Sequence, residues 1–339
     1  MKLHHNDIRA NGGANTLLRA STPLAPGNAQ ASVPLSAFAS AYSNGIFYAD
    51  IVSPVNVTDD IKGTFYKFSH KDTTTELSSH VGELGTLNQI EMDLTTGTYA
   101  CLGYGLRAPV SLQLQNVADD AVEPKRRMSE NAMHRLLLSR EIRVATQITT
   151  SGNWLAAATT AASNVWSDQT AGTPATDIRT ALEAIPASNG LSRKVAICAL
   201  EVFNDLKSHP EIRDMHGTVT GQITEEILAG YIGVDQLLVS DAQKATSNTG
   251  QTTLVVARIW LATVFAIVLV PLDGQDPLNT ECFSKTFRRN LAGSSGGILV
   301  REWHAPDQGT EGVEHVGVTH EDDEVIVRDD AGHLITSVG

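Results

Sequence analysis

The residues best suited to chemistry are two histidines beside an acidic run: His315 and His320, then Asp322, Asp323 and Glu324. Imidazoles and carboxylates can hold a divalent metal when their donors converge at about 2.0–2.6 Å. Here they are strung along a predicted strand and turn, which reads as a solvated acidic turn, and no metal site is expected. Gly293-Ser294-Ser295-Gly296-Gly297 has the glycine content of a phosphate loop. It lacks the lysine and the following helix through which such loops cradle phosphate, so it reads as a turn. His4 and His5 lie in a polar leader. Trp154, Trp166, Trp260 and Trp303 read as core or interface anchors rather than a platform for stacked bases. No catalytic residue and no cofactor site is expected.

One cluster is more suggestive. Lys125, Arg126, Arg127, Arg135, Arg140 and Arg143 fall in a single predicted helix, with only Glu130 and Glu141 opposing them. Such a helix can touch phosphates without regard to base sequence. Lys125, Arg126, Arg127, Arg135 and Arg143 are the candidate contacts. The plain alternative is a solvated helix start.

The elements that would position these groups follow a distinctive order. Residues 1–45 are rich in Asn, Ala, Gly, Ser, Thr and Pro with weak apolar periodicity, as expected of an arm ordered only on another surface. Strand signals begin at Phe47. Thr64–Ser69 alternates Phe65 and Lys67 with Tyr66 and Phe68, and a polar stretch then leads to a second strand at Thr98–Leu102. That predicts a long hairpin over roughly residues 60–95. A lone hairpin is marginal in water, so it should lie along a second copy, with Phe65, Lys67, Phe68 and Lys71 as candidate contacts. A helix follows over about residues 128–150, with Met133, Leu137, Val144 and Ile148 on one stripe.

Residues 165–275 alternate helix and strand. Asp177 is a candidate cap for a helix bearing Ile178, Ala181, Leu182 and Ile185. Lys194–Leu200 reads as a buried strand, Thr224 as the cap of Glu225–Tyr231, and Gly233 as its terminator. The apolar run Ile259–Val270 is too short for a bilayer span of about 20 residues and reads as a buried strand or two closely coupled strands. After residue 280 the pattern returns to short strands, among them Val313–Thr319 and Glu324–Val327, separated by turns.

Composition agrees with a packed protein that shares its surface. The 339 residues are 42% hydrophobic but only 19% charged, and the net charge is −13. Residues 301–339 carry ten acids and two bases. If that region and the basic helix face opposite ways, a wall built of this chain has a negative and a positive side. Three widely spaced cysteines (Cys101, Cys198 and Cys282) and no Cys-x-x-Cys pair argue against a disulfide framework and for synthesis in a reducing cytosol.

At residues 166–240 the sequence resembles a known family. Trp166-Ser167-Asp168, Ala181-Leu182-Glu183-Ala184-Ile185, Val195-Ala196-Ile197-Cys198, Val202-Phe203-Asn204-Asp205-Leu206 and Val239-Ser240-Asp241-Ala242 are similar to a segment of tailed-phage major capsid proteins. The resemblance is to HK97-fold major capsid proteins of tailed double-stranded DNA bacteriophages. It implies an α+β HK97-like capsid fold: an N-terminal arm (1–50), an extended E-loop hairpin with flanking strands (51–100), a P domain with a spine helix (101–164), an α/β A domain (165–275), and a β return to the P domain (276–339).

The resemblance further implies a structural protein, not an enzyme. Hexamers and pentamers would build an icosahedral or prolate shell around double-stranded DNA. Partners would be other copies, portal and scaffolding proteins, in some members a decoration protein, and the packaged DNA, with no membrane. The subunit would assemble in the host cytoplasm into the virion capsid. Two rival readings are an encapsulin-like compartment and a soluble α/β enzyme.

Overall fold

The computed structural model describes residues 29–67, 95–111, 122–186, 190–217, 223–247, 253–272, 280–308 and 312–339, with isolated positions between 76 and 89. In chain order, β1 (Gln30–Ala31) leads into a helix, Val33–Ala41. A helical turn, Ala49–Val52, precedes β2 (Val55–Thr58), β3 (Lys62–Lys67), β4 (Thr95–Ala100) and β5 (Leu102–Ser111). The long helix Val122–Thr149 comes next, then β6 (Thr159–Ala161), helix Pro174–Ala184 and β7 (Ser192–Ala199). Helices Leu200–Ser208, Pro210–His216 and Glu225–Ile232 precede β8 (Gln236–Ser240) and the ribbon of β9 (Gln243–Ala245) and β10 (Val256–Arg258). Five strands close the chain: β11 (Val264–Pro271), β12 (Ser284–Arg289), β13 (Leu299–Ala305), β14 (Val313–Ile326) and β15 (Gly332–Thr336).

These elements form two compact units, each assembled from distant stretches. The first comprises Met1–Asn44, Leu102–Leu137 and Arg289–Glu321; the second comprises Gly45–Cys101, Leu138–Arg288 and Asp322–Gly339.

In the first unit, β13 pairs antiparallel with β14 in the register Leu299↔Thr319 to Ala305↔Val313. β1 pairs with β13, and β5 with β14. Alternation turns Val300, Val316 and Val318 to one side. There they form a core with Ala132, Met133 and Leu136 of the long helix and with Leu35 and Ala39 of helix Val33–Ala41. That last helix corrects the expectation of an arm through residue 50. Leu35 and Ala39 are four residues apart and share a face, and Pro34 suits a helix's first turn. The Ser36 hydroxyl donates to Ser32 O at 2.8 Å and accepts from the Val300 amide at 3.0 Å. Residues 1–28, with His4 and His5, lie outside the described residues.

In the second unit, a five-stranded sheet runs in the order β6-β15-β11-β7-β8. The parallel β7–β8 pair is joined by a helical crossover, as parallel strands require. All eight residues of β11 are buried, so the run Ile259–Val270 is a central strand from Val264 onward, with Ile259–Thr263 forming bends and a turn ahead of it. Gly233 takes a left-handed conformation, φ +81°, and closes helix Glu225–Ile232; Thr224 Oγ1 accepts from the Ile227 amide at 3.4 Å at its start. Asp177 is not a cap. It lies within the first turn of helix Pro174–Ala184 and accepts from Trp166 Nε1 at 3.0 Å and Ser163 Oγ at 2.8 Å.

The predicted acidic turn after Thr319 is also corrected. β14 runs unbroken through it for 14 residues, because β12 pairs with that segment from Ser284↔Ile326 to Arg288↔Asp322. The long helix starts at Val122 rather than Met128. Pro124 falls in its first turn, where a missing N–H has no intrahelical partner to lose.

Candidate assembly surfaces

The hairpin expected to reach beyond the subunit is rooted in the second unit. β3 and β4 pair antiparallel from Lys62↔Ala100 to Lys67↔Thr95. Alternation sends Phe65 and Tyr99 to one face, where they meet Phe287. The Phe65 and Phe287 ring centroids are 5.1 Å apart, and Tyr99 stacks on Phe287 at 4.3 Å. Cys101, Cys282 and Val327 complete this small core. Phe65 is only 5% exposed, whereas Tyr66 is 61% exposed. The expectation that Phe65 touches a second copy is therefore corrected: it anchors the hairpin root, and Tyr66 is the outward aromatic. Lys67 also turns inward, with Nζ donating to Ile326 O at 3.4 Å and lying 5.8 Å from the Phe65 ring. Phe68 and Lys71 lie outside the described residues.

The basic helix is far less free than its sequence implied. In the first unit, Lys125 Nζ lies 2.6 Å from Glu314 and 3.1 Å from Glu302. Burial works against its charge, but the two carboxylates outweigh burial and hold its pKa above the ordinary lysine value. Arg126 pairs with Glu130 at 2.9 Å and lies over the Phe38 ring at 5.0 Å. Arg127 and Arg135 are exposed. In the second unit, Arg143 grips Glu324 from Nε and Nη2, at 3.0 Å and 2.7 Å. Lys125 and Arg143 are thus structural cations. The physical reason is that acids of β13 and β14, expected on the opposite side of a wall, pack against the helix and neutralise it.

Arg140 and Glu141 are buried outright in the second unit. Arg140 pairs with Asp50 and donates to Ser53 O at 3.0 Å and Thr286 Oγ1 at 3.1 Å. Glu141 accepts from the Tyr48 and Ala49 amides at 3.1 Å and 2.8 Å and from Trp260 Nε1 at 2.7 Å. Burial raises its pKa, and these three bonds oppose the rise. A carboxylate at two amides opening a helical turn is a capping arrangement supplied from elsewhere in the sequence. No sequence signal near Tyr48 marks it.

The two histidines of the acidic run do not converge. Five apart on one strand, they point to opposite faces. His315 stacks on Trp303 with centroids 5.3 Å apart and lies 2.9 Å from Gln308 Oε1; burial and the Arg107 charge push its pKa below the ordinary value. His320 tilts against Tyr104 at 5.6 Å. The three cysteines are buried free thiols. No described helix is long and apolar enough to cross a membrane.

Comparison with known proteins agrees with this architecture. No family model matches the chain. In sequence it is 25% identical over 231 residues to the major capsid protein of Pseudomonas phage JBD67, covering 67% of this chain and 73% of that one. In structure it is similar to a phage-related protein from Bordetella bronchiseptica RB50, with TM-score 0.72 and 18% identity over 92% of this chain and 98% of that one. It is also similar to the capsid of cyanophage P-SCSP1u, with TM-score 0.51 and 10% identity over 87% and 89% of the two chains.

Fold and sequence together place the chain beside phage capsid proteins, with their mixed helix-and-strand fold. In sequence it is similar to a phage major capsid protein, so the resemblance drawn from residues 166–240 is borne out.

Proposed function

We propose that this chain is the major capsid subunit of a tailed double-stranded DNA phage, and that it works by assembly rather than by catalysis. The observation that carries this reading is a hairpin whose root is locked into its own subunit while the described apolar residue beyond that root, Leu87, stands exposed. Phe65, Tyr99 and Phe287 fix the base, yet Leu87 beyond it is 84% exposed. A hairpin so built is held out for a neighbour. Hexamers and pentamers of the subunit would close a shell, with interfaces above about 2,000 Å². Folded-state stability would then draw on assembly.

Arg127 and Arg135, both exposed on the helix, would touch phosphate, a contact insensitive to base sequence and weakened by salt. Portal and scaffolding proteins are the further partners of this reading, and the host cytoplasm is its place of assembly. The test is to express the chain with its phage partners, purify assemblies and treat them with nuclease. DNA protected inside shells supports the proposal. Shells filled instead with a protein cargo contradict it in favour of a compartment, and a discrete dimer contradicts any shell.

A further inference from the structure

The sequence holds three Asn-Gly pairs: Asn11-Gly12, Asn44-Gly45 and Asn189-Gly190. Asparagine is among the thermolabile residues, and a following glycine, with no Cβ, lets the main chain close on the asparagine side chain. Of the three pairs, Asn44-Gly45 has both residues described. It lies between helix Val33–Ala41 and the helical turn Ala49–Val52, where the chain passes from the first unit to the second. Gly45 is exposed and sits in a turn. A Cβ there would meet nothing within 4 Å, and the Gly45 amide donates to no acceptor among the described residues. That main-chain nitrogen is therefore uncommitted and has room around it.

The Asn44 side chain, by contrast, is held. Asn44 Nδ2 lies 3.4 Å from His134 Nδ1, and the Tyr42 hydroxyl lies 3.2 Å from the same ring nitrogen. The Tyr42 and His134 rings meet edge to face, with centroids 6.3 Å apart. All three residues belong to the first unit. Histidine is the side chain suited to passing a proton near neutral pH, and here it touches the nitrogen that a deamidation must expel.

We propose that Asn44 is a self-modification site: it deamidates through Gly45, with His134 as proton donor. The Gly45 nitrogen attacks Asn44 Cγ and gives up its proton to water. The Cγ–Nδ2 bond breaks as the His134 imidazolium hands a proton to the departing nitrogen, which leaves as ammonia. Water then opens the succinimide ring, leaving aspartate or isoaspartate at position 44. The sum is an amide and water converted to a carboxylate and ammonium, with no redox change and no co-reactant but water. Either product places a new negative charge beside His134, and isoaspartate also lengthens the main chain by one methylene. The reaction holds whether or not the subunit assembles.

Peptide mapping by mass spectrometry of the full chain, incubated at neutral pH, tests this. The peptide carrying residue 44 should gain the mass difference between a hydroxyl and an amino group and split into two chromatographic peaks. His134→Gln should slow conversion at 44 about tenfold or more, and imidazole added to the buffer should restore part of it. Asn11 and Asn189 should convert at their wild-type rates in that variant. Gly45→Ala, whose Cβ has open space, should keep the fold and slow conversion by a similar factor of about ten. An intact Asn44 in the wild type after Asn11 has converted overturns the proposal. Unchanged conversion at 44 in His134→Gln, or a slowing that imidazole does not relieve, overturns the assisted reaction.

Discussion

Arg288 and Asp322 face each other across β12 and β14 in a two-pronged ion pair, 2.7 Å from Nε to Oδ1 and 2.8 Å from Nη2 to Oδ2. Both residues are buried, and Arg140 Nε lies 4.0 Å from the same carboxylate. Burial opposes the Arg288 charge, yet the bond to Asp322 wins and raises its pKa. A planar guanidinium meeting a carboxylate on two prongs is the strong form of such a pair. It joins two strands whose acidic and basic residues would each be unwelcome alone.

Asp322→Ala removes the two-pronged anion of buried Arg288 and one of the two carboxylates beside buried Arg140, which keeps Asp50. The expected loss is about 3–5 kcal/mol, measured by urea denaturation of the unassembled subunit. Replacing Arg288 by Met and Asp322 by Leu together should cost less than that single change, because only one buried cation then loses an anion.

Phe287→Ala empties the centre of the hairpin root. Loss of a buried phenylalanine costs about 3–5 kcal/mol, and the cost should be local. Amide hydrogen exchange should show β3 and β4 losing protection while β7 and β11 keep theirs.

Glu141→Gln tests the distant cap. Both Glu141 oxygens accept, from three donors in all, whereas an amide sets its NH₂ against at least one of them. The expected destabilisation is about 1–3 kcal/mol. The sign with pH follows from the raised pKa. Between the ordinary value of 4.5 and that raised value, the folded state binds the extra proton, so this group's contribution to stability falls as pH rises through the window. In melts across that window the wild type should show the decline, and the Gln variant should lack this share of it.

Gly332→Ala should abolish soluble expression. Gly332 holds φ +152°, and a Cβ there would press on Ile267 O and stand 3.0 Å from Val268 Cα, both backbone atoms of β11. Gly45→Ala, with nothing within 4 Å of its Cβ, should shift stability by no more than about 0.5 kcal/mol. Expression and thermal melts of the two variants check the contrast.

Much of the second unit was legible because its signals are local. The apolar run around Val264–Val270 could only be a buried strand, and Thr224 and Gly233 bracket a helix in the sequence itself. The first unit hid its order. Leu35 and Ala39 look like part of a loose arm until Val300 and Val318 supply the surface they pack on. The acids of β14 read as a turn because their partners, Arg288, Arg289 and Arg143, lie 32 to 181 residues away. For the same reason the basic helix looked free: Glu302 and Glu314 reach Lys125 only in the fold. Charge counted along a sequence cannot tell an exposed cation from a neutralised one.

Electron cryomicroscopy of the purified, assembled chain tests the central claim most directly. A closed shell hundreds of ångströms across, with residues 68–94 of each subunit lying on a neighbour, is the predicted result. Discrete dimers under the same conditions, with that stretch folded back on its own subunit, would contradict it.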